Sequence, residues 1–251
     1  MKYTIFVIAM VALVGCKSTK YTTDHPFENT LGMKFVSVPG TKVEFCIWET
    51  RVKDYAAYAA ANAGVNARWK SFGFRFKQAD THPVVNVSWT DTRAFCAWLT
   101  KKELAVGKLK AGQRYRLPTD AEWSVAVGLG KETGNTPKEK NGGIKDVYPW
   151  GKEFPLPKGA GNYHTSLKVD NFGYTSPVGS LAANAHGIYN LGGNVMEWCE
   201  DWYDPAAKTA RVCRGASWRN GPGFGLLSSS RHTVKPDYRA NIGFRCVLAD
   251  D

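Results

Sequence analysis

The densest run of chemically capable side chains is Gly192-Gly193-Asn194-Val195-Met196-Glu197-Trp198-Cys199-Glu200-Asp201-Trp202. A glycine-rich turn runs straight into tryptophans, carboxylates and a thiol. An element built for burial alone has no use for two glycines, an asparagine and three acids among its tryptophans. Such a run offers oxygen donors to a hard cation. The other reactive set is sulfur: Cys16 near the N-terminus, then Cys46, Cys96, Cys199, Cys213 and Cys246. None of these forms C-x-x-C or a Cys/His cluster at zinc spacing. His25, His82, His164, His186 and His232 form no HxxxH or HxE pattern. A lone loop histidine falls short of the ligand number an iron centre needs. Nucleotide loops, nucleophile elbows and zinc-protease motifs are absent.

What the thiols can do depends on the compartment. Met1-Lys2 is a short basic region, and Tyr3 to Val14 is an apolar run too short to span a bilayer but right for a signal-peptide core. It ends in Leu13-Val14-Gly15-Cys16, which looks like the bacterial lipobox, where the cysteine is acylated and becomes the new N-terminus. The expected division is a signal peptide over 1–15, a lipidated tether over 16–27 and one domain over 28–251. Lys17 is not the aspartate that retains many such lipoproteins in the inner membrane, so the expected location is the cell envelope, at the outer membrane. In that oxidising setting the five remaining cysteines suggest two disulfides and one free thiol. Cys199 and Cys213 flank a short excursion whose closure suits a bridge. Cys46 sits in an apolar strand and reads as a buried free thiol.

A chain of 251 residues with net charge +11 can bury a core unaided. Its Lys and Arg are scattered and the chain carries an export signal, so no nucleic acid is expected as partner. Twenty-five glycines, nine tryptophans and eleven tyrosines point to a loop-rich fold with aromatic clusters.

The elements that must position these groups are few. Leu31 to Glu49 alternates well enough for two strands around Pro39-Gly40. Thr50 to Asn62 has apolar residues at helical spacing. Asn66 to Asp80 is basic and aromatic, an exposed excursion. His82 to Trp89 is extended and leads, past a cap at Ser88 or Thr90, into a helix over Asp91 to Glu103. Thr119-Asp120-Ala121-Glu122 is a capping box that opens a third helix to about Leu129. Short strands are expected near Val212 to Ser217 and Gly243 to Val247. The class is α+β, with about three helices, small antiparallel sheets and long loops.

Four motifs in order, Arg116-Leu-Pro-Thr-Asp-Ala-Glu-Trp123, Gly192 to Trp202, Arg214-Gly-Ala-Ser-Trp218 and Gly243-Phe-Arg-Cys246, make the chain resemble the formylglycine-generating enzyme family, the sulfatase-modifying factors. The resemblance covers about residues 27 to 249. It implies a C-type-lectin-like fold with little regular structure. It also implies a pair of reactive cysteines that hold Cu(I), a soft ion that prefers sulfur. Counting from Gly215-Ala-Ser-Trp218 puts those two positions at Asn220 and Gly225, and no Cys occurs between Cys213 and Cys246. Copper is therefore not expected, and no catalytic residue is assigned. Ser217 matches the serine beside the family's active cleft. Cys96 and Cys246 match a structural disulfide of the family, worth about 4–5 kcal/mol by chain entropy.

The resemblance further implies calcium. Asn190, Gly193, Val195 and Glu197 match one site, with the two middle residues acting through their carbonyls. Asn162, Tyr163, Asp170 and Phe172 match a second, in which Tyr163 and Phe172 act through carbonyls. Arg116 and Glu122 read as an internal lock, and Trp123, Trp198, Trp202 and Trp218 as core. The expected function is a surface-anchored, non-catalytic binding or scaffold module for a peptide, a glycan or an exported sulfatase. The alternative is an enzyme of the family, an oxidoreductase or maturation factor, whose chemistry does not use the two cysteines.

Overall fold

Segments from the two ends of the chain meet in one sheet. In this computed structural model, which describes residues 21–71, 76–237 and 239–250, the strands in chain order are β1 (Phe27–Glu28), β2 (Lys34–Ser37), β3 (Val43–Cys46), β4 (Gln113–Arg116), β5 (Met196–Trp202), β6 (Arg211–Arg214), β7 (His232–Val234), β8 (Ile242–Gly243) and β9 (Val247–Asp250). The helices are α1 (Val52–Ala61), α2 (Trp89–Ala105), α3 (Asp120–Ala126) and the single turn α4 (Pro137–Lys140). The first sheet runs β1-β2-β3-β9-β4, antiparallel throughout, so the last strand is locked between two early ones. The second runs β7-β6-β5-β8, and its β5–β8 pair is parallel, unlike the purely antiparallel sheets expected.

The central strands of both sheets send side chains into apolar clusters on both faces, because successive residues of a strand point to opposite sides. Phe35, Cys46 and Leu248 join one apolar cluster with Tyr55, Phe95 and Leu99 of α1 and α2. Their neighbours Val36, Phe45 and Val247 join another with Trp123 and Ala126 of α3. In the second sheet Trp198 and Cys213 go to the first cluster, Cys199 and Val212 to the second. Local chemistry fixes the helix starts. Ser88 accepts the Asp91 N–H and Asp91 accepts the Ser88 N–H, and Thr119 and Glu122 do the same for α3. Helix α3 ends at Ala126, short of the Leu129 expected.

The expected boundary between tether and domain moves. Tyr21 N donates to Ser37 Oγ at 3.0 Å and Ser37 N donates to the Tyr21 carbonyl at 2.9 Å, so the chain is docked from residue 21 rather than from 28. The signal peptide and Cys16 lie outside the described residues. Within the expected excursion, Ala67–Lys70 forms a short 3₁₀ turn.

Candidate functional site

The sequence motifs converge on two buried ion clusters. Asp120 of α3 bonds to Arg214 at the end of β6 and to Arg231, whose Nη2 lies 2.9 Å from Oδ2. Arg231 also pairs with Glu132 at 2.5 Å, and the Arg214 guanidinium lies 4.3 Å from the Trp123 ring centre. Burial pushes the Asp120 carboxyl up, but Arg214 and Arg231 outweigh it and hold it below the usual carboxylate range. In the second cluster Arg245 pairs with Glu197 at 2.6 Å, and Trp123 Nε1 donates to Glu197 at 3.1 Å. Beside it Glu49 accepts from Asn194 Nδ2 at 3.0 Å; burial, then the Glu197 charge, drives its carboxyl well above the ordinary range. The Arg116–Glu122 lock is present and bidentate, at 2.7 and 2.6 Å. These motifs therefore act on one another. They hold the loops between them in place.

The loop after β6 carries the two positions counted from the motif. Asn220 Oδ1 accepts from both Ser217 N, at 3.0 Å, and Ser217 Oγ, at 2.7 Å; Asn241 Nδ2 donates to the same Oγ at 3.2 Å. A Cβ placed on Gly225 would lie 3.3 Å from Asn220 Nδ2 and 3.2 Å from His232 Cε1. So Asn220 and Gly225 do face each other, next to Ser217 and to His232 of β7. Burial lowers the His232 pKa, leaving a neutral imidazole at pH 7 whose Nε2 has no partner among the described residues. Trp218 meets Tyr174 edge-on at 5.1 Å, and Tyr174 meets Phe76 at 5.1 Å, so a row of three rings leads away from Ser217.

No described thiol reaches this cluster in reactive form. Cys46, Cys96, Cys199, Cys213 and Cys246 are all buried and free. Burial pushes Cys46 up to about 12 and drives Cys199, Cys213 and Cys246 well above the ordinary thiol range, so these four are protonated at neutral pH. Cys96 and Cys246 stand together, with their sulfurs 3.6 Å apart. The expected Cys199–Cys213 pairing is corrected. Trp198, not Cys199, is the register partner of Cys213, so the two thiols point to opposite faces of the sheet and into different clusters.

The calcium sets fit unevenly. Asn190, at a φ of 59°, has both amide atoms buried without partners among the described residues, and its Oδ1 is the kind of oxygen a hard cation takes. Glu197 does not fit alongside it, since its charge is matched by Arg245 and its oxygens are engaged. The second set is better disposed. Asn162 is fully buried and its Oδ1 has no partner among the described residues. Asp170 accepts from Tyr163 N at 3.0 Å and Phe172 N at 2.8 Å, which brings its carboxylate to the same turn. Gly193 closes on that turn: a Cβ there would come within 2.5 Å of the Asn162 carbonyl. A hard cation here would draw on Asn162, Asp170 and loop carbonyls.

Residues 17–250 match the sulfatase-modifying factor enzyme 1-like domain. The chain belongs to this family. It is 36% identical over 182 residues to the inactive C-alpha-formylglycine-generating enzyme 2 of Bos taurus, a match covering 66% of this chain and 50% of that protein, so it spans about half of that relative's length. It is 30% identical to the formylglycine-generating enzyme of Thermomonospora curvata, over 92% of this chain and 76% of the relative. Among solved structures, PvdO from Pseudomonas aeruginosa superposes with a TM-score of 0.59 at 26% identity, covering 82% of this chain and 80% of that one. The α+β, C-type-lectin-like fold of the sulfatase-modifying factors is therefore the fold of this chain.

Among the ion-cluster residues, Glu49, Glu132, Arg231 and Arg245 have no pairing assigned from the sequence. Glu49 lies in a segment read only as strand, and Arg245 was read only as part of a motif. The signal available was the presence of each charge in an otherwise apolar stretch, which in a buried element demands a partner. His232, adjacent to the motif-counted positions, carried no local signal.

Proposed function

We propose that this chain is a non-catalytic binding module of the sulfatase-modifying factor family, held in the cell envelope by an acylated Cys16. Its ligand would lie along the Phe76–Tyr174–Trp218 row, against Ser217 and Asn220. The observation that carries this reading is the contact between Asn220 and Gly225 at the positions where the family resemblance calls for two thiols. An amide is a hard, weak donor and glycine offers no side chain, so Cu(I) has nothing to bind. The name of the bovine relative, an inactive enzyme, supports the same reading. Exported peptides, glycans or a sulfatase are the partner classes it admits. Calcium is proposed at Asn162 and Asp170.

The alternative, an enzyme that works without the two cysteines, would draw on the half-buried neutral His232 beside Gly225. One experiment addresses both. Purified protein is analysed for redox metals, loaded with copper and incubated with a Cys-x-Pro-x-Arg peptide under oxygen, with mass detection of the aldehyde. The expected result is no bound Cu(I) and no aldehyde, while the double substitution Asn220→Cys, Gly225→Cys gains Cu(I) binding. Copper-dependent multiple turnovers by the wild type would overturn the binding-module reading.

A further inference from the structure

Helix α2 ends in a run that is apolar and cationic at once. Leu104 and Val106, two of the four large apolar side chains exposed among the described residues, stand two positions apart there, 41% and 57% exposed. Lys101, Lys102, Lys108 and Lys110 flank them, and the only carboxylate between residues 101 and 111 is Glu103. Glu103 is fully buried, with its oxygens taken by the N–H and the hydroxyl of Thr30. The outward charge of the run is therefore all positive. A groove between α1 and α2 carries the same character back from the tip, since Trp98, Lys101 and Lys102 line it and no Asp or Glu does. The tip also lies beside the point where the chain enters the fold. Lys108 Nζ donates to the Glu28 carbonyl at 3.3 Å, and the ring of Phe27, one residue earlier, meets that of Tyr21 at 5.5 Å. The Glu28 carboxylate is itself matched by Lys34 at 4.0 Å.

We infer that the 101–110 run is a membrane contact in its own right: it rests on an anionic bilayer, with Leu104 and Val106 among the headgroups and the four lysines on their phosphates. Apolar side chains at headgroup depth gain burial, and flanking lysines keep their ammonium groups at the phosphates while their stems lie along the apolar residues. An acidic peptide or a nucleic acid would match the lysines and leave Leu104 and Val106 in water. An apolar protein surface would cover Leu104 and Val106 and leave four ammonium groups unmatched. A bilayer satisfies both sets, and the tether would bring it to this place. Cys16 stands five residue steps from Tyr21, a span of at most about 18 Å. The contact would fix how the domain is turned on the membrane, which one flexible tether does not do. For its place in the cell the inference rests on the reading of an acylated Cys16.

The test uses the chain from Lys17 on, which keeps every described strand and helix and carries no acyl group, so that binding reports on this face and not on the anchor. It is sedimented with vesicles of phosphatidylcholine alone and of phosphatidylcholine mixed with phosphatidylglycerol. Binding is expected to the anionic vesicles only, and it should fall as salt rises. Each lysine beside an anionic leaflet changes binding about fivefold, so Lys108→Gln with Lys110→Gln should weaken it about 25-fold. Leu104→Gln with Val106→Gln, both at exposed positions, should weaken it about tenfold while the melting temperature holds. Lys152→Gln with Lys158→Gln removes the same charge from another exposed loop and should leave binding nearly unchanged. No binding to the anionic vesicles overturns the inference. So does a loss no greater in the Lys108 and Lys110 pair than in the Lys152 and Lys158 pair, or binding untouched by Leu104→Gln with Val106→Gln. A dimer in solution that the two apolar substitutions dissociate would give the face to a second copy and overturn it as well. Palmitate labelling of Cys16 is read separately on the full chain, so a failed anchor and a failed face are told apart.

Discussion

Asp120 faces Arg214 and Arg231 where water is excluded, and removing its charge leaves the buried Arg214 without a counter-charge and Arg231 with Glu132 alone. Breaking such a cluster from one side costs roughly 3–5 kcal/mol. Asp120→Asn should therefore lose about that much stability at pH 7 in chemical denaturation. The pH dependence has a definite sign. The folded carboxyl titrates below its unfolded value, so its contribution is fully present above about pH 4 and is lost as pH falls through the depressed value. The gap between wild type and variant should shrink as pH falls below about 4; a gap that stays constant on acidification, or a variant as stable as wild type at pH 7, would contradict the assignment. At this scale legibility followed sequence distance. Arg116 and Glu122 share one motif with a capping box, and their lock was readable. Glu197 and Arg245 are 48 residues apart. Nothing local announced that pair, so Glu197 was available to be read as a calcium ligand.

Elements were legible where the signal is local. The cap at Thr119 is legible because a hydroxyl followed three residues later by a carboxylate has a specific geometric use, and of the two candidates for α2, Ser88 and Thr90, the structure takes Ser88. Strand β5 was passed over because both its faces are buried, which erases alternation: Met196 and Trp198 serve one cluster and Cys199 the other. Strand β4 is short and polar outside Tyr115, and only its pairing with β9 makes it a strand. That same central placement of β9 brings Cys246 against Cys96 of α2. Protein from the envelope should show a Cys96–Cys246 linked peptide in non-reducing mapping, and Cys96→Ser should lower stability by about 2–4 kcal/mol relative to the oxidised wild type. Both thiols alkylatable after unfolding without reductant would count against it. The loop over residues 162–172 makes a separate claim. Millimolar calcium should raise Tm in the wild type, chelation should reverse the rise, and Asp170→Ala should abolish it while Glu197→Gln still responds. A calcium shift that survives Asp170→Ala and vanishes in Glu197→Gln would return the ion to the first set.

For the whole molecule, the proposed anchor at Cys16 would set how the domain stands on a membrane. Tyr21 is held by two hydrogen bonds to Ser37. Thr23 then fits against Gly187, where a Cβ would come within 2.0 Å of Thr23 Cγ2. Only Lys17, Ser18, Thr19 and Lys20 separate Cys16 from that docked segment. The five residue steps from Cys16 to Tyr21 reach at most about 18 Å when fully extended. An acyl anchor on Cys16 would then hold the edge of the first sheet next to the headgroups rather than on a long stalk. Each buried methylene contributes about 0.8 kcal/mol, so several acyl chains make detachment negligible. Lys17 and Lys20 add about 1 kcal/mol each on an anionic leaflet. Labelled palmitate should enter the wild type and not Cys16→Ser, and the wild type should partition with membranes while the variant is released. Lengthening the 17–20 segment by ten Gly/Ser residues should leave labelling intact but expose the Tyr21 edge to protease on intact membranes. Equal labelling of wild type and Cys16→Ser would remove the anchor from the account, and unchanged protease access in the lengthened chain would show that the edge does not rest on the membrane.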